Sequence, residues 1–477
     1  MSEWKKVKIG EFLKQYRNTI YVDDAQQYRQ VTISSKDGVK YRCTKLGKEI
    51  GRKRQFLIDL KKYPNTVIFT RQGLHEGSIG LAPEEVDSCI ATENMPMFSV
   101  DDTVIDTQYL KNLLRSPIFA NLVSTLTPTG SAQKSIHERD LLPLEISIPN
   151  LETQKKIVKE ISSQLEMTEL LSSEIAKQKI YAKQLRQNIL QEAIEGKLTA
   201  DWRKQHPVQK GNPDYDAEAL FEQIQKEKYH SDLFAPNGAH AKKAKSVSSE
   251  PIRVTRKEKS LPPITEDEIP FGIPTGWKWV RLGEIIQEPP RNGYSPKAVD
   301  FETPIKTLKL GAVTYGVFDP SEFKYINEKI PEDAYCWLKN GDFLIERSNS
   351  FEYVGICAIY TGKDNEFMYP DLLMRFRTAE ILLKEYIHSA LVSPFNREYF
   401  MANAKGAQKT MPKINQECVV NTLIPLPPLA EQKEIVARVE KHLQTITQLE
   451  TQIATRETTT KQLMQSILKE AFEEKYE

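Results

Sequence analysis

Cysteine is scarce in this chain and never clustered. Five occur among 477 residues, at Cys43, Cys89, Cys336, Cys357 and Cys418, and no two are spaced CxxC. That argues against a zinc ribbon or a disulfide scaffold and suits a reducing compartment. The seven histidines show neither HxxxH nor HExxH spacing, so no metal site is expected. There is no GxxxxGK[ST] loop to cradle phosphates, which excludes a self-contained ATP-driven translocase. A GxGxxG turn is also missing. So is the [DN]PP[YF] tetrapeptide of an adenine methyltransferase; the nearest string, "QEPPRNG", lacks both the leading Asp or Asn and the aromatic. No long uncharged apolar run is present, and "MSEWKKVKIG" has no apolar h-region. The expectation is therefore no membrane span, no signal peptide and a cytoplasmic location. Neither sign of charge dominates: 66 Lys and Arg face 65 Asp and Glu, for a net charge of +1. Near-neutrality excludes no partner, because a nucleic-acid binder can be basic on one face only.

What the chain does have is itself, twice. At an offset of 278, "ETQKKIVKEI" from Glu152 falls on "AEQKEIVARV" from Ala430. At the same offset "KQLRQNILQEA" from Lys183 falls on "KQLMQSILKEA" from Lys461. An ungapped match of about 45 residues implies one continuous element, since loops tolerate insertions. Its apolar positions are Ile157, Ile161, Leu165, Leu171, Ile175, Leu185 and Ile189. In the second copy they are Ile435, Val439, Leu443, Leu449, Ile453, Leu463 and Ile467. Steps of three and four, or small multiples of them, mark one face of a helix. A helix of that length runs roughly 65 Å and needs a partner for its stripe. The economical partner is the other copy, as an antiparallel coiled coil. Pro149 and the pair Pro427–Pro428 suit the helix starts. Glu152 and Glu431 fall in the first turns, where a negative charge complements the helix dipole.

The repeat extends upstream more weakly. "WKKVKIGEFL" from Trp4 resembles "WKWVRLGEII" from Trp277, and "VIFTRQG" from Val67 lies over "FLIERSN" from Phe343. The runs "NTVIFT", "EISIPN", "GDFLIE", "VGICAIY" and "NTLIPLP" read as strands. "TQYLKNLLRSPIFANLV" and "ILLKEYIHSALVSPFNREYF" read as helices. The reading is a mixed α/β chain of five parts: a variable domain over 1–148, a long helix over 149–197, a connector over 198–275, a second variable domain over 276–426 and a second long helix over 427–477. The connector carries a short helix, "DAEALFEQIQKEKYH", then a basic tract from Lys242 to Lys259 that reads as a solvated linker.

This plan resembles the specificity subunit of type I restriction–modification systems. The two "EQKEIV"-like helix starts in register carry the likeness, together with "EGKLTADWR", "PTGWKWVRLGEI" and "MYPDLLMRFR". The first helix start departs from the pattern, with "PNLETQ" in place of "PPLAEQ". The resemblance implies two target recognition domains, each reading one half of a split double-stranded DNA sequence. It implies helices that set the spacer and dock two methyltransferase subunits, with two motor-nuclease subunits completing the complex. S-adenosylmethionine, ATP and Mg are then expected on those partners and no cofactor on this chain, which is itself non-catalytic. Two similar halves also present two similar docking surfaces to two identical partners.

Base reading calls for Arg, Lys, Asn or Gln on surface loops. The best-matched loops follow apolar strands, "TRQGLHEGS" and "ERSNSFEY". Arg71, Gln72, Arg347, Ser348 and Asn349 are candidates there, against the alternative that each arginine pairs with a carboxylate such as Glu76 or Glu352. "TPTGSAQKS" and "AKGAQKTMPK" offer Gln133, Lys134, Gln408 and Lys409, against a plain surface turn. "VTISSKDGVKYR" and "KTLKLGAVTYG" offer Ser34, Lys36 and Lys309 toward phosphates, against an ordinary edge strand. A rival reading of the whole chain is a coiled-coil scaffold whose variable domains bind proteins. Steep loss of binding with added salt marks the DNA reader.

Overall fold

The computed structural model describes residues 4–35, 38–128, 135–234, 261–405 and 412–473. The chain divides into two compact units. One holds Met1–Gln178 with Gln452–Glu477, the other Lys179–Thr451. Each long helix therefore contributes one part to each unit.

In the first unit, strand Lys5–Lys8 pairs antiparallel with Glu145–Ile148, directly before the long helix Leu151–Ile194. A four-stranded antiparallel sheet follows, in the order Leu13–Tyr16, Met97–Val100, Val67–Phe69, Ile79–Leu81. A five-stranded sheet runs Thr19–Tyr21, Arg54–Leu57, Ile90–Ala91, Gln27–Ser34, Gly38–Leu46. The second unit repeats the scheme. Lys278–Arg281 pairs with Leu423–Leu426. A four-stranded sheet runs Ile286–Asn292, Leu373–Thr378, Phe343–Glu346, Cys357–Ile359, beside a three-stranded one. All five strand runs read from sequence are strands here. The two helical runs each break in two at a Ser-Pro step, after Leu114 and after Leu391. Proline fits the first helical turn, and the preceding serine caps it. Ser116 accepts from the Phe119 N–H and Ser393 from the Asn396 N–H.

The repeated "GE" is also a cap. The Lys8 N–H donates to Glu11 at 2.9 Å, and the Arg281 N–H to Glu284 at 2.7 Å. The repeated glutamine of the helix start is a clamp. Gln154 is buried, accepts from the Asp106 N–H at 2.7 Å and donates to the Val104 and Pro149 carbonyls. Gln432, equally buried, accepts from the Leu383 N–H at 3.2 Å and donates to the Pro427 carbonyl. Each long helix is thereby fastened to the domain that precedes it.

Glu431, like Glu152, stands in the first turn of its helix as the dipole argument expects, but its surroundings differ. It is buried, while Glu152 is exposed and paired with Lys156. Its carboxylate accepts from Thr199 Oγ1 at 2.6 Å, from Trp277 Nε1 at 2.7 Å and from the Arg203 guanidinium. Gly196 ends the first long helix at φ +70°, a conformation that favours glycine, and Arg203 donates to its carbonyl. Arg438 grips the Leu198 carbonyl and Asp201. The string "GKLTADWR" is thus a connection onto the second helix. The connector takes part as well. The carbonyls of Pro213 and Asp214 accept the Leu429 and Ala430 N–H groups, two of the orphan donors of that helix start. Leu220 and Ile224, on helix Ala217–Phe234, lie in the core of the second unit. Arg281 is buried against Glu268 and the Pro262 carbonyl. Only the stretch around Lys242–Lys259 is left from the linker reading, and it lies outside the described residues.

Within each unit the long helices pack antiparallel. In the first, Ile161 and Leu165 share a core with Leu468 and Phe472. In the second, Ile189 and Ala193 share one with Ile435, Val439 and Ile446, and Arg186 reaches Glu450 at 3.0 Å. Buried positions recur every seventh residue. They are Ile161, Thr168, Ile175, Ala182 and Ile189, then Val439, Ile446, Ile453 and Thr460. Ile157, Leu443 and Ile467 are partly buried. The sequence stripe errs at Leu171, Leu185, Leu449 and Leu463, which are 42%, 45%, 43% and 48% exposed. Each stands three residues past a buried position, about 60° round the helix from the seam. Thr168 and Ala182 occupy the seam instead, though neither is strongly apolar.

Two outcomes are expected in urea denaturation. Ile175→Ala costs about 2–5 kcal/mol, and Leu171→Ala less than about 1 kcal/mol. Glu431→Ala takes the carboxylate partner from Arg203 and the hydrogen-bond acceptor from the Trp277 indole N–H, and costs about 3–5 kcal/mol.

Candidate nucleic-acid interface

The two loops after the strands Val67–Phe69 and Phe343–Glu346 share one backbone frame. The Arg71 carbonyl accepts from the Ile136 N–H at 2.8 Å, and the Arg347 carbonyl from the Ile414 N–H at 3.0 Å. Their side chains differ. Arg71 makes a two-pronged pair with Glu138, Nε–Oε2 3.0 Å and Nη2–Oε1 2.8 Å. The carboxylate is neither Glu76 nor the nearest in sequence. Burial pushes the Glu138 carboxyl up, but hydrogen bonds from Arg71, its own backbone N–H and Gln15 outweigh burial and hold it at about 2. The pair occupies Nε and one Nη2 hydrogen of Arg71 and fixes the side chain against Glu138.

At the corresponding place in the second unit stands Gln416, which carries no charge. Among the described residues, the Arg347 guanidinium touches only the Asp371 carbonyl, at 3.4 Å. It lines a cleft of about 420 Å³ with Lys405, Lys413, Asn403 and Asn415, and with one carboxylate, Glu417. Three basic side chains against one carboxylate suit an anionic ligand, and an arginine without a carboxylate partner can grip guanine in two-pronged fashion.

The other candidates fall out unevenly. Gln72 is exposed beside Arg71. Ser348 is fully buried, so its hydroxyl does not reach a base; it points inward where its strand-like segment bridges Lys413. The Asn349 amide donates to Glu346 at 2.7 Å and so faces the domain rather than a ligand. Lys309 is exposed but lies 3.5 Å from Glu322. Ser34 is partly buried at the end of strand Gln27–Ser34. Lys36, Gln133, Lys134, Gln408 and Lys409 lie outside the described residues.

Sequence reasoning missed a basic surface. The run "KYRCTKLGKEIGRKR", from Lys40 to Arg54, holds seven basic residues and one acidic. It forms one edge of the five-stranded sheet and the turn that follows. Arg42 is the extra residue of a bulge opposite Gln30 and Val31, which turns it outward. Arg54 lies 3.3 Å from Glu93, and Lys53 pairs with Asp24. Among the described residues, Arg42, Lys45 and Lys48 have no carboxylate at ion-pair distance. A scan for local charge would have found this run; the near-zero total hid it.

A family model described as the type I restriction modification DNA specificity domain matches this chain twice, over residues 1–178 and 274–456. The chain belongs to that family. Among specificity subunits of Escherichia coli, the chain is 28% identical to that of type I restriction enzyme EcoEI over 275 residues, covering 56% of this chain and 41% of that protein. Against the EcoKI subunit of strain K12 it is 24% identical over 373 residues, covering 78% and 66%. The chain thus spans under half of the EcoEI subunit's length. A solved chain from work on assembly and conformational transition of the type I R-M system shares the fold. Its TM-score is 0.54 at 19% identity, over 99% of this chain and 98% of that one. In this specificity-domain chain no described helix is long and apolar enough to cross a membrane, and no described cluster of His, Cys, Asp and Glu could hold a metal ion.

The Arg71–Glu138 pair gives a pH test. The folded carboxyl titrates below its ordinary value of 4.5, so its contribution is complete above that value and is lost as pH falls toward about 2. Acid titration of stability should show up to about 3 kcal/mol lost across this window. Glu138→Gln should flatten that part of the curve.

Proposed function

We propose that this chain is the non-catalytic, sequence-reading subunit of a type I restriction–modification complex. Each variable domain reads one half of a split DNA target. The observation that carries the reading is duplication of one loop frame, Arg71 on Ile136 and Arg347 on Ile414, inside a chain whose family model matches twice. Two related domains joined in one chain suit two half-sites with unread bases between them. The long helices set that interval and dock two methyltransferase subunits, which carry S-adenosylmethionine and modify adenine. Two motor-nuclease subunits, with ATP and Mg, complete the restriction form. The complex works in the cytoplasm.

The first domain supplies phosphate affinity through its basic sheet edge, and Arg347 supplies direct reading in the second. Phosphate contacts position a protein and base contacts specify. The test is to co-express the chain with the methyltransferase encoded beside it and map modified bases in the host DNA. A split motif with methyladenine in each half supports the reading. A stable complex with no new motif sinks it, as does partner binding that ignores salt.

Two further outcomes are expected. Arg347→Ala relaxes one half of the motif and leaves the other intact, at about 1–3 kcal/mol of lost discrimination. Arg42→Gln with Lys45→Gln and Lys48→Gln weakens binding to all sequences alike. It lowers the slope of log K against log salt by about 0.9 for each phosphate contact removed.

A further inference from the structure

The second domain contains a buried carboxylate that its ion pairs do not explain. Glu346 ends the strand Phe343–Glu346 and is fully buried. Among the described residues no cation lies within ion-pair distance of it, and burial pushes its carboxyl up. Its two oxygens go to two different loops. Thr314 Oγ1 lies 2.7 Å from Oε1, and Asn349 Nδ2 donates to Oε2 at 2.7 Å. A buried carboxyl held only by neutral side chains costs stability, so its place needs a reason.

The loops it joins carry unusual tips. Next to Thr314, Tyr315 is 83% exposed, and beyond Gly316, Val317 is 72% exposed. Close to Asn349, Phe351 is 46% exposed. The roots of both loops are firmly held. His388 bonds the Cys357 carbonyl at 2.9 Å beneath Gly316, and Arg397 donates to the Val354 and Glu352 carbonyls. Tyr315 and Val317 thus sit two residues apart, both well exposed, on a loop whose root is held, an arrangement suited to contact with an apolar feature of a partner.

We propose that Glu346 is a positioning residue that clasps these two loops into one reading head, and that Tyr315 and Val317 at its tip make apolar contact with base edges, thymine methyl groups above all, in the half-site of this domain. The chemistry fits the major groove, where the thymine methyl is the one apolar feature of a base edge. The clasp sets the tip relative to Arg347, which leaves the same strand end one residue later. This assignment rests on the DNA-reading function proposed above.

The experiment is modified-base mapping with the full chain and its methyltransferase. Tyr315→Ala with Val317→Ser should make one half of the motif degenerate at one or two positions, with about tenfold loss of discrimination there. The other half should be unchanged. Glu346→Ala should give the same degeneracy. Glu346→Gln should restore the parent motif, because an amide can accept from Asn349 and donate to Thr314. If the unaltered chain yields no split motif, the DNA reading itself falls. If it yields one that the tip variant leaves unchanged, or loosens equally in both halves, only this assignment falls. If Glu346→Ala fails to accumulate, the tip variant decides the contact alone, since both of its side chains are exposed. If Glu346→Gln behaves like Glu346→Ala, the clasp is overturned.

Discussion

A charge taken out of water must be met by donors wherever they can be brought from, and Glu431 shows what that demand organises. One carboxylate in the first turn of the second long helix gathers Thr199 and Arg203 from beyond the first long helix and Trp277 from the entry to the second domain. Breaking one partner of such a group costs far more than the pair gains over an apolar core, so the arrangement is cooperative. Helix start, connector and domain entry are locked as one body. The buried glutamines complete the attachment by satisfying backbone groups that the helix start and its neighbouring turn leave open. A domain anchored this way is fixed in orientation on the start of its helix.

Duplication has kept this framework and let the surfaces drift. Strand pairing at the domain entry, the glutamate cap, the glutamine clamp and the loop frame occur in both units. The exposed chemistry does not. One unit ties its loop arginine to Glu138 and presents a basic sheet edge; the other frees Arg347 and presents apolar tips over a buried glutamate. Framework positions are constrained by buried hydrogen bonds, whose loss is expensive. Exposed loop positions carry no such constraint, so their side chains are free to differ between the units.

The same division explains what was legible. The ungapped offset of 278, the strand runs and the prolines at the helix starts reveal two mixed α/β domains and two long helices, because periodicity and turn chemistry are local. Membership in the specificity-domain family follows from the same repeated strings. The helix seam was read only in part. Hydrophobicity marks Leu171 and Leu185 but passes over Thr168 and Ala182, and the seven-residue recurrence of burial emerges only when the neighbouring helix is in place.

Sequence alone thus determined the duplication, the class of each domain and the length of the helices, since each is written in short-range pattern. Tertiary structure decided which polar side chains have work inside the fold and which are left for a ligand. Ser348 and Asn349 resemble readers on a loop, and the fold turns both inward. Arg71 and Arg347 occupy equal places in the repeat. They part company because Glu138 and Gln416, more than sixty residues away from them in sequence, supply a charge in one case and none in the other. Pairing of charges depends on distance in space, and no pattern along the chain records that distance.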